Sequence, residues 1–162
     1  MVEQRFETTP AFSAAGQKIW ISGQDNEQFT VFWRTMEETG GIERLRRVAE
    51  QPNVLNSTVF GVSFVQNDPN NRAFDFAIAT QTDGAPKAGL QTFSIPACHW
   101  AVFRNAGALP QALVEAEMFA FLQWLPASGF RHAAAPEMEV YPDLLPGTVE
   151  FWLPIEETER RS

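Results

Sequence analysis

The stretch PQALVEAEMFAFLQWL, residues 110–125, decides the fold. Val114, Met118, Phe121 and Leu125 fall along one stripe at helical spacing, and Pro110 suits a first helical position, so the segment reads as an amphipathic helix. Pro126 and Gly129 are expected to stop it. Upstream, residues 90–103 are extended, apolar and aromatic around Pro96. Downstream, residues 137–141 and 148–155 alternate as strands across a turn containing Pro142, Pro146 and Gly147. The order is strand, helix, strand, strand.

The first half has the same order. Residues 18–22 alternate, with Ile19 and Ile21 on one face and Trp20 on the other. Asp25 and Gln28 have capping-box spacing, and Phe29, Phe32, Trp33 and Met36 follow at i, i+3, i+4 and i+7, which predicts a helix over 29–36. Gly40 and Gly41 end or bend it, and a second helical stretch covers 42–50. Two strands follow, 58–65 with Phe60, Val62 and Phe64 in phase and 73–80 with Phe74, Phe76 and Ile78 in phase, joined by a turn over 67–71 around Pro69. FETTPA at 6–11 loosely echoes FSIPA at 93–97. The fold class is therefore α+β: two strand–helix–strand–strand modules, about 1–85 and 86–158, in a single domain spanning 1–162.

Composition bounds the function. Of 162 residues 44% are hydrophobic, with 14 Phe and 5 Trp, enough for a core and for a pocket as well. The net charge of −8 argues against the phosphate contacts that dominate nucleic-acid affinity, so no direct nucleic-acid partner is expected. The single cysteine, Cys98, excludes an intrachain disulfide and a cysteine-rich metal site, and suits a reducing cytoplasm. Residues 1–10 carry Glu3, Arg5 and Glu7 and no apolar run, which reads as neither a signal peptide nor a membrane anchor. A homodimer is compatible with the sequence.

If each half offers one apolar face to its own helix, the opposite sheet faces are left to line a groove. Taking Met138, Val140, Val149, Phe151 and Leu153 as helix-facing, period two sends Glu137, Glu139, Tyr141, Glu150 and Trp152 to the groove, with Trp20 and Asp75 from the first half. Glu139 with Tyr141, Trp152 and Trp20 offers what an organic cation needs: a carboxylate of low local dielectric and aromatic faces. The alternative for these carboxylates is the solvated side of an edge sheet. Trp33 and Trp124 fall in or beside helical stripes and read as core. Trp100 and Phe103 lie on opposite faces of one strand, so one of them can reach the groove.

Other chemistries are poorly supported. His99 and His132 are far apart and lack a second ligand at metal spacing. Cys98 and His99, being adjacent on a strand, point to opposite faces. Neither a nucleophile elbow nor a phosphate-binding glycine loop is present. Arg44, Arg46 and Arg47 read as the solvated face of a short helix, with an interaction patch as the alternative. No metal, cofactor or catalytic residue is expected.

Residues 93–97, Trp100-Ala101-Val102-Phe103, Gly107, Trp124-Leu125-Pro126, Ser128-Gly129-Phe130, residues 136–141 and Trp152-Leu153-Pro154-Ile155 together resemble the GyrI-like family of AraC-type effector-binding domains. The resemblance implies two modules related by a pseudo-twofold axis, with a cleft between them that holds lipophilic cations or other drug-like effectors. It also implies that the glutamate before x-Tyr, Glu139 here, contacts the cation, and that Tyr141 and Trp152 line the cleft. Phe130 departs from the tyrosine of many relatives. Members are often fused to a helix-turn-helix region as multidrug-responsive regulators, whereas this chain resembles the effector domain alone. Similar stand-alone proteins sequester toxic compounds, inhibit DNA gyrase or hydrolyse reactive cyclopropane toxins. A small-molecule hydrolase and a gyrase-binding protein are therefore the alternatives to a non-catalytic binder.

Overall fold

Alternating strand residues and two amphipathic helices build one antiparallel sheet with helices on one side. The computed structural model describes residues 1–22, 26–65 and 73–158. In chain order the elements are β1 (Glu3–Thr9), β2 (Phe12–Ile21), α1 (Glu27–Glu38), α2 (Gly41–Val48), β3 (Phe60–Ser63), β4 (Phe74–Thr82), β5 (Gln91–Ile95) and β6 (Cys98–Ala106), followed by α3 (Gln111–Met118), a π-helical turn (Phe119–Trp124), α4 (Leu125–Ser128), β7 (Phe130–His132), β8 (Glu137–Val140) and β9 (Thr148–Glu157). The capping residue Asp25 and the turn over 67–71 lie outside the described residues.

The strands are ordered β1-β6-β9-β8-β3-β4-β2-β5, with β7 added beside β9. This order maps onto itself when each strand of one half is exchanged for its counterpart in the other. The pseudo-twofold axis passes between β3 and β8, where Gly61 pairs with Glu139. The leading strand of each half crosses over, β1 pairing with β6 and β5 with β2. Pro10-Ala11 and Pro96-Ala97 sit at the two crossovers, where a residue without an N–H costs no ladder bond.

Three cores follow from the two sheet faces. On the outer face Phe32, Met36 and Leu45 of the first pair of helices pack on Ile21, Phe76 and Ile78. The second helical segment packs Ala116 and Ala120 on Phe103, Phe151 and Leu153. The inner face gathers Phe12, Phe60, Val62, Ala77, Ile95, Trp100, Met138, Val140 and Trp152, side chains from seven strands spread across the sheet. These side chains form one contiguous buried cluster. It is a core, not the open groove expected from the sequence.

The expected phase of β8 is corrected by the register. Met138 pairs with Trp152 and Glu139 with Phe151, so Met138 and Val140 face inward with Trp152, while Glu139 shares the helix side with Phe151. β9 is buried on both faces from Val149 to Ile155, so its hydrophobicity carries no phase information. Glu150 faces inward as expected, but it is 1% exposed and held by Arg5 (2.7 Å) and Arg104 (2.8 Å), with Trp152 Nε1 donating to it at 3.1 Å. Burial pushes this carboxyl up, but the bonds from Arg5, Trp152 and Arg104 prevail and hold it below the ordinary glutamate value.

The second helix also departs from a simple stripe. Met118 is 53% exposed, and the face on the sheet is Ala112, Ala116 and Ala120 with Phe119 and Phe121 beside it. Small alanines allow close approach, and the π turn rotates the residues after Met118 away from 3.6 spacing. Pro126 lies inside the last turn, and Gly129, with φ of 80°, makes the stop.

Candidate functional site

The two helical layers leave the centre of the outer face, over β3 and β8, to the side chains beside the pseudo-twofold axis. Glu139 projects there across Gly61, whose missing side chain makes the room: a Cβ on Gly61 would lie 2.5 Å from Glu139 Cγ and Oε1 and 2.8 Å from Phe76 Cζ. Glycine inside a strand often marks such a close approach. Gly61→Ala is expected to expel the Glu139 carboxyl from its seat and to destabilise the protein by about 1–3 kcal/mol, the usual range for overpacking. Urea unfolding checks the loss, and a crystal structure of the variant checks the side-chain displacement.

Trp33 reaches the carboxyl from α1. Its Nε1 donates to Glu139 Oε1 at 2.9 Å, and its ring meets Tyr141 edge-on, with centroids 5.4 Å apart at 82°. The Tyr141 phenol also interacts with Glu139, and its backbone N–H donates to Ser57 Oγ at 3.2 Å. Burial drives the Glu139 pKa from 4.5 to about 7, against the opposing bonds from Trp33 and Tyr141. Burial, then the Glu139 charge, raises the Tyr141 phenol above its ordinary value, and Glu117 on α3 acts on it in the same direction. Tyr141 therefore remains a donor at neutral pH. Among the described residues Glu139 takes part in no ion pair; the donors identified on it, Trp33 and Tyr141, are neutral.

Of the residues expected at a cleft, Glu139 and Tyr141 come together. Trp152, 2% exposed, and Trp100, 0% exposed, lie in the inner core on the far side of the sheet. Phe103, also fully buried, lies beneath the second helix against Phe119 and Trp124. Trp20 is 61% exposed and pairs with Asp75 on the face away from the helices. Trp124 is partly buried, packed against the core beneath the second helix and stacked on Phe130. Trp33, which also read as core, is the residue missed: an indole N–H in a buried stripe needs an acceptor, and Glu139 is that acceptor. Further along β8, Glu137 is taken up by His132 at 2.9 Å. No group of metal-ligating side chains occurs among the described residues, and none of the helices there is long and apolar enough to cross a membrane.

Two such modules about an axis, with helices on one face of a single antiparallel sheet, fit a GyrI-like effector-binding domain. The chain belongs to the family of integron-associated effector binding proteins, whose model matches residues 5–155. Among solved structures it is similar to SAV2435 bound to tetraphenylphosphonium, with 18% identity, TM-score 0.79, and coverage of 95% of this chain and 94% of that one. The integron cassette protein VCH_CASS2 from the mobile metagenome of Vibrio cholerae is similar at 14% identity and TM-score 0.68, over 94% and 95% of the two chains. The EcmrR C-terminal domain is similar at 12% identity and TM-score 0.64, over 98% and 99%. At these identities the likeness is one of fold. No curated protein matches.

Proposed function

We propose that the protein binds lipophilic organic cations at the junction of its modules, with Glu139 as the counter-charge and Trp33 and Tyr141 as aromatic walls. The observation that carries this reading is a largely buried carboxyl whose identified donors, the side chains of Trp33 and Tyr141, are both neutral and aromatic. A buried carboxylate left uncompensated is costly, and a cation arriving there gains both charge neutralisation in a low-dielectric setting and contact with π faces. Tetraphenylphosphonium bound to SAV2435 supports the ligand class, and the effector-binding family supports small-molecule binding as the role. The acidic surface keeps duplex DNA out of the proposal.

The test is a pair of isosteric ions, tetraphenylphosphonium and tetraphenylborate, titrated by calorimetry between pH 5.5 and 8.5. The cation is expected to bind and the anion not. Because the cation prefers ionised Glu139, and that group titrates at about 7, its affinity should be level above that pH. Below it, affinity should fall by up to about tenfold per pH unit. Equal affinity for both ions, or an affinity independent of pH, would overturn the role of the carboxylate.

A further inference from the structure

A second feature adjoins the Glu139 site on the same side of the sheet. Glu139 pairs with Phe151, so Tyr141 and Val149, each two residues along, stay on the helix side. Asn105 pairs with Val149, which brings Gly107 to that side as well. There, between the start of α3 and the turn after β8, is a pocket of about 160 Å³ walled by Leu109, Tyr141, Leu145, Pro146, Val149 and the backbone of Gly107 and Gly147. Tyr141 thus has one neighbour in Glu139 and another in this pocket.

The walls specify an apolar occupant. Gly107 N–H donates to Gly147 O at 3.2 Å, Leu145 N–H to Pro142 O at 3.2 Å and Thr148 N–H to Leu145 O at 3.2 Å, so these backbone donors are spent within the walls. Of the lining side chains only Tyr141 and Thr148 are polar. Leu109, 55% exposed, and Leu145, 40% exposed, leave an apolar rim facing water, and covering such a rim is favourable. The volume is close to that of engineered apolar cavities that admit benzene.

We propose that this pocket takes one aryl or short alkyl arm of the cation whose charged centre lies at Glu139, with Tyr141 as the wall common to both. The inference rests on the cation-binding reading above and deepens it: the ligand class is a cation carrying an apolar arm about the size of one phenyl ring. Head and arm are then recognised separately, the head by charge and the arm by shape.

The experiment uses tetraphenylphosphonium with the wild-type protein, Leu145→Trp, which fills the pocket from its rim, and Glu139→Gln. We expect intermolecular NOEs from the phenyl protons to the Leu109 and Leu145 methyls. Affinity should fall about tenfold in Leu145→Trp, as for loss of one ring's buried contact, and fall in Glu139→Gln as well. If Leu145→Trp does not fold, the NOEs on the wild type decide. Binding that depends on Glu139 but gives no NOE to either leucine, or survives Leu145→Trp undiminished, overturns the arm pocket and leaves the cation site standing. Binding indifferent to Glu139→Gln, or no binding to the wild type, overturns the cation site and the arm pocket with it.

Discussion

Glu139→Gln is expected to stabilise the protein by up to about 3 kcal/mol at pH 8 while weakening its binding of organic cations. The carboxyl has its pKa raised from 4.5 to about 7 by burial, so between those values the folded state holds a proton that the unfolded chain has released. Stability then falls as pH rises through that window, and above it the penalty is complete, at up to about 3 kcal/mol. Below about pH 4.5 both states are protonated and the penalty vanishes. Glutamine has the same shape and no charge. Its oxygen still accepts from Trp33 Nε1, and its amide can donate to the Tyr141 oxygen.

Melting the two proteins at pH 8 and at pH 5 checks the sign, since the advantage of glutamine should be large at the first and small at the second. An advantage of equal size at both values would mean that the effect is packing and not charge. In the same pair of proteins the cation should lose about 1.5–3 kcal/mol of affinity, the range for a contact to a charged group. A residue that destabilises the fold in its ionised form while supplying the charge a ligand needs is the kind of local conflict expected at a functional site.

That conflict was partly visible in the sequence. The spacing of Phe29, Phe32, Trp33 and Met36 placed α1, while alternation grouped Glu139 with Glu137 and Glu150, and the resemblance to the GyrI-like family singled it out. Its face was not legible, because phase along β8 depends on the pairing of Glu139 with Phe151, and β9 is apolar on both faces. β1 was missed for a related reason. Residues 1–10 read only as neither a signal peptide nor a membrane anchor, yet Arg5 reaches across 145 positions to Glu150, a contact no local pattern encodes. Gly61 carried a usable signal, since glycine within a strand pattern points to a close backbone approach. Its partner, Glu139, is set only by the strand pairing at the pseudo-twofold axis.

Trp152→Ala separates the sequence expectation from the structure. From strand phase alone the residue belongs in the ligand cleft, and its loss should weaken charged and neutral ligands alike. The register instead sets it in the inner core, 2% exposed, edge-on to Trp100 at 5.8 Å, with its N–H on Glu150 and the Arg5 guanidinium 5.9 Å from its ring. Truncation removes a large buried side chain, expected to lose about 3–5 kcal/mol, and also deprives buried Glu150 of one donor. A domain of ordinary stability has about 5–15 kcal/mol in all, so the alanine variant is expected to melt at far lower temperature. Trp152→Phe, which keeps most of the volume, should lose less and serves for binding measurements. Its affinity for tetraphenylphosphonium should stay near that of the wild type, whereas Trp33→Leu, which removes an aromatic wall beside Glu139, should lower it with a smaller loss of stability. Near-normal melting with lost binding in the Trp152 variants, and the reverse in Trp33→Leu, would place the ligand on the inner face and overturn the site built on Glu139.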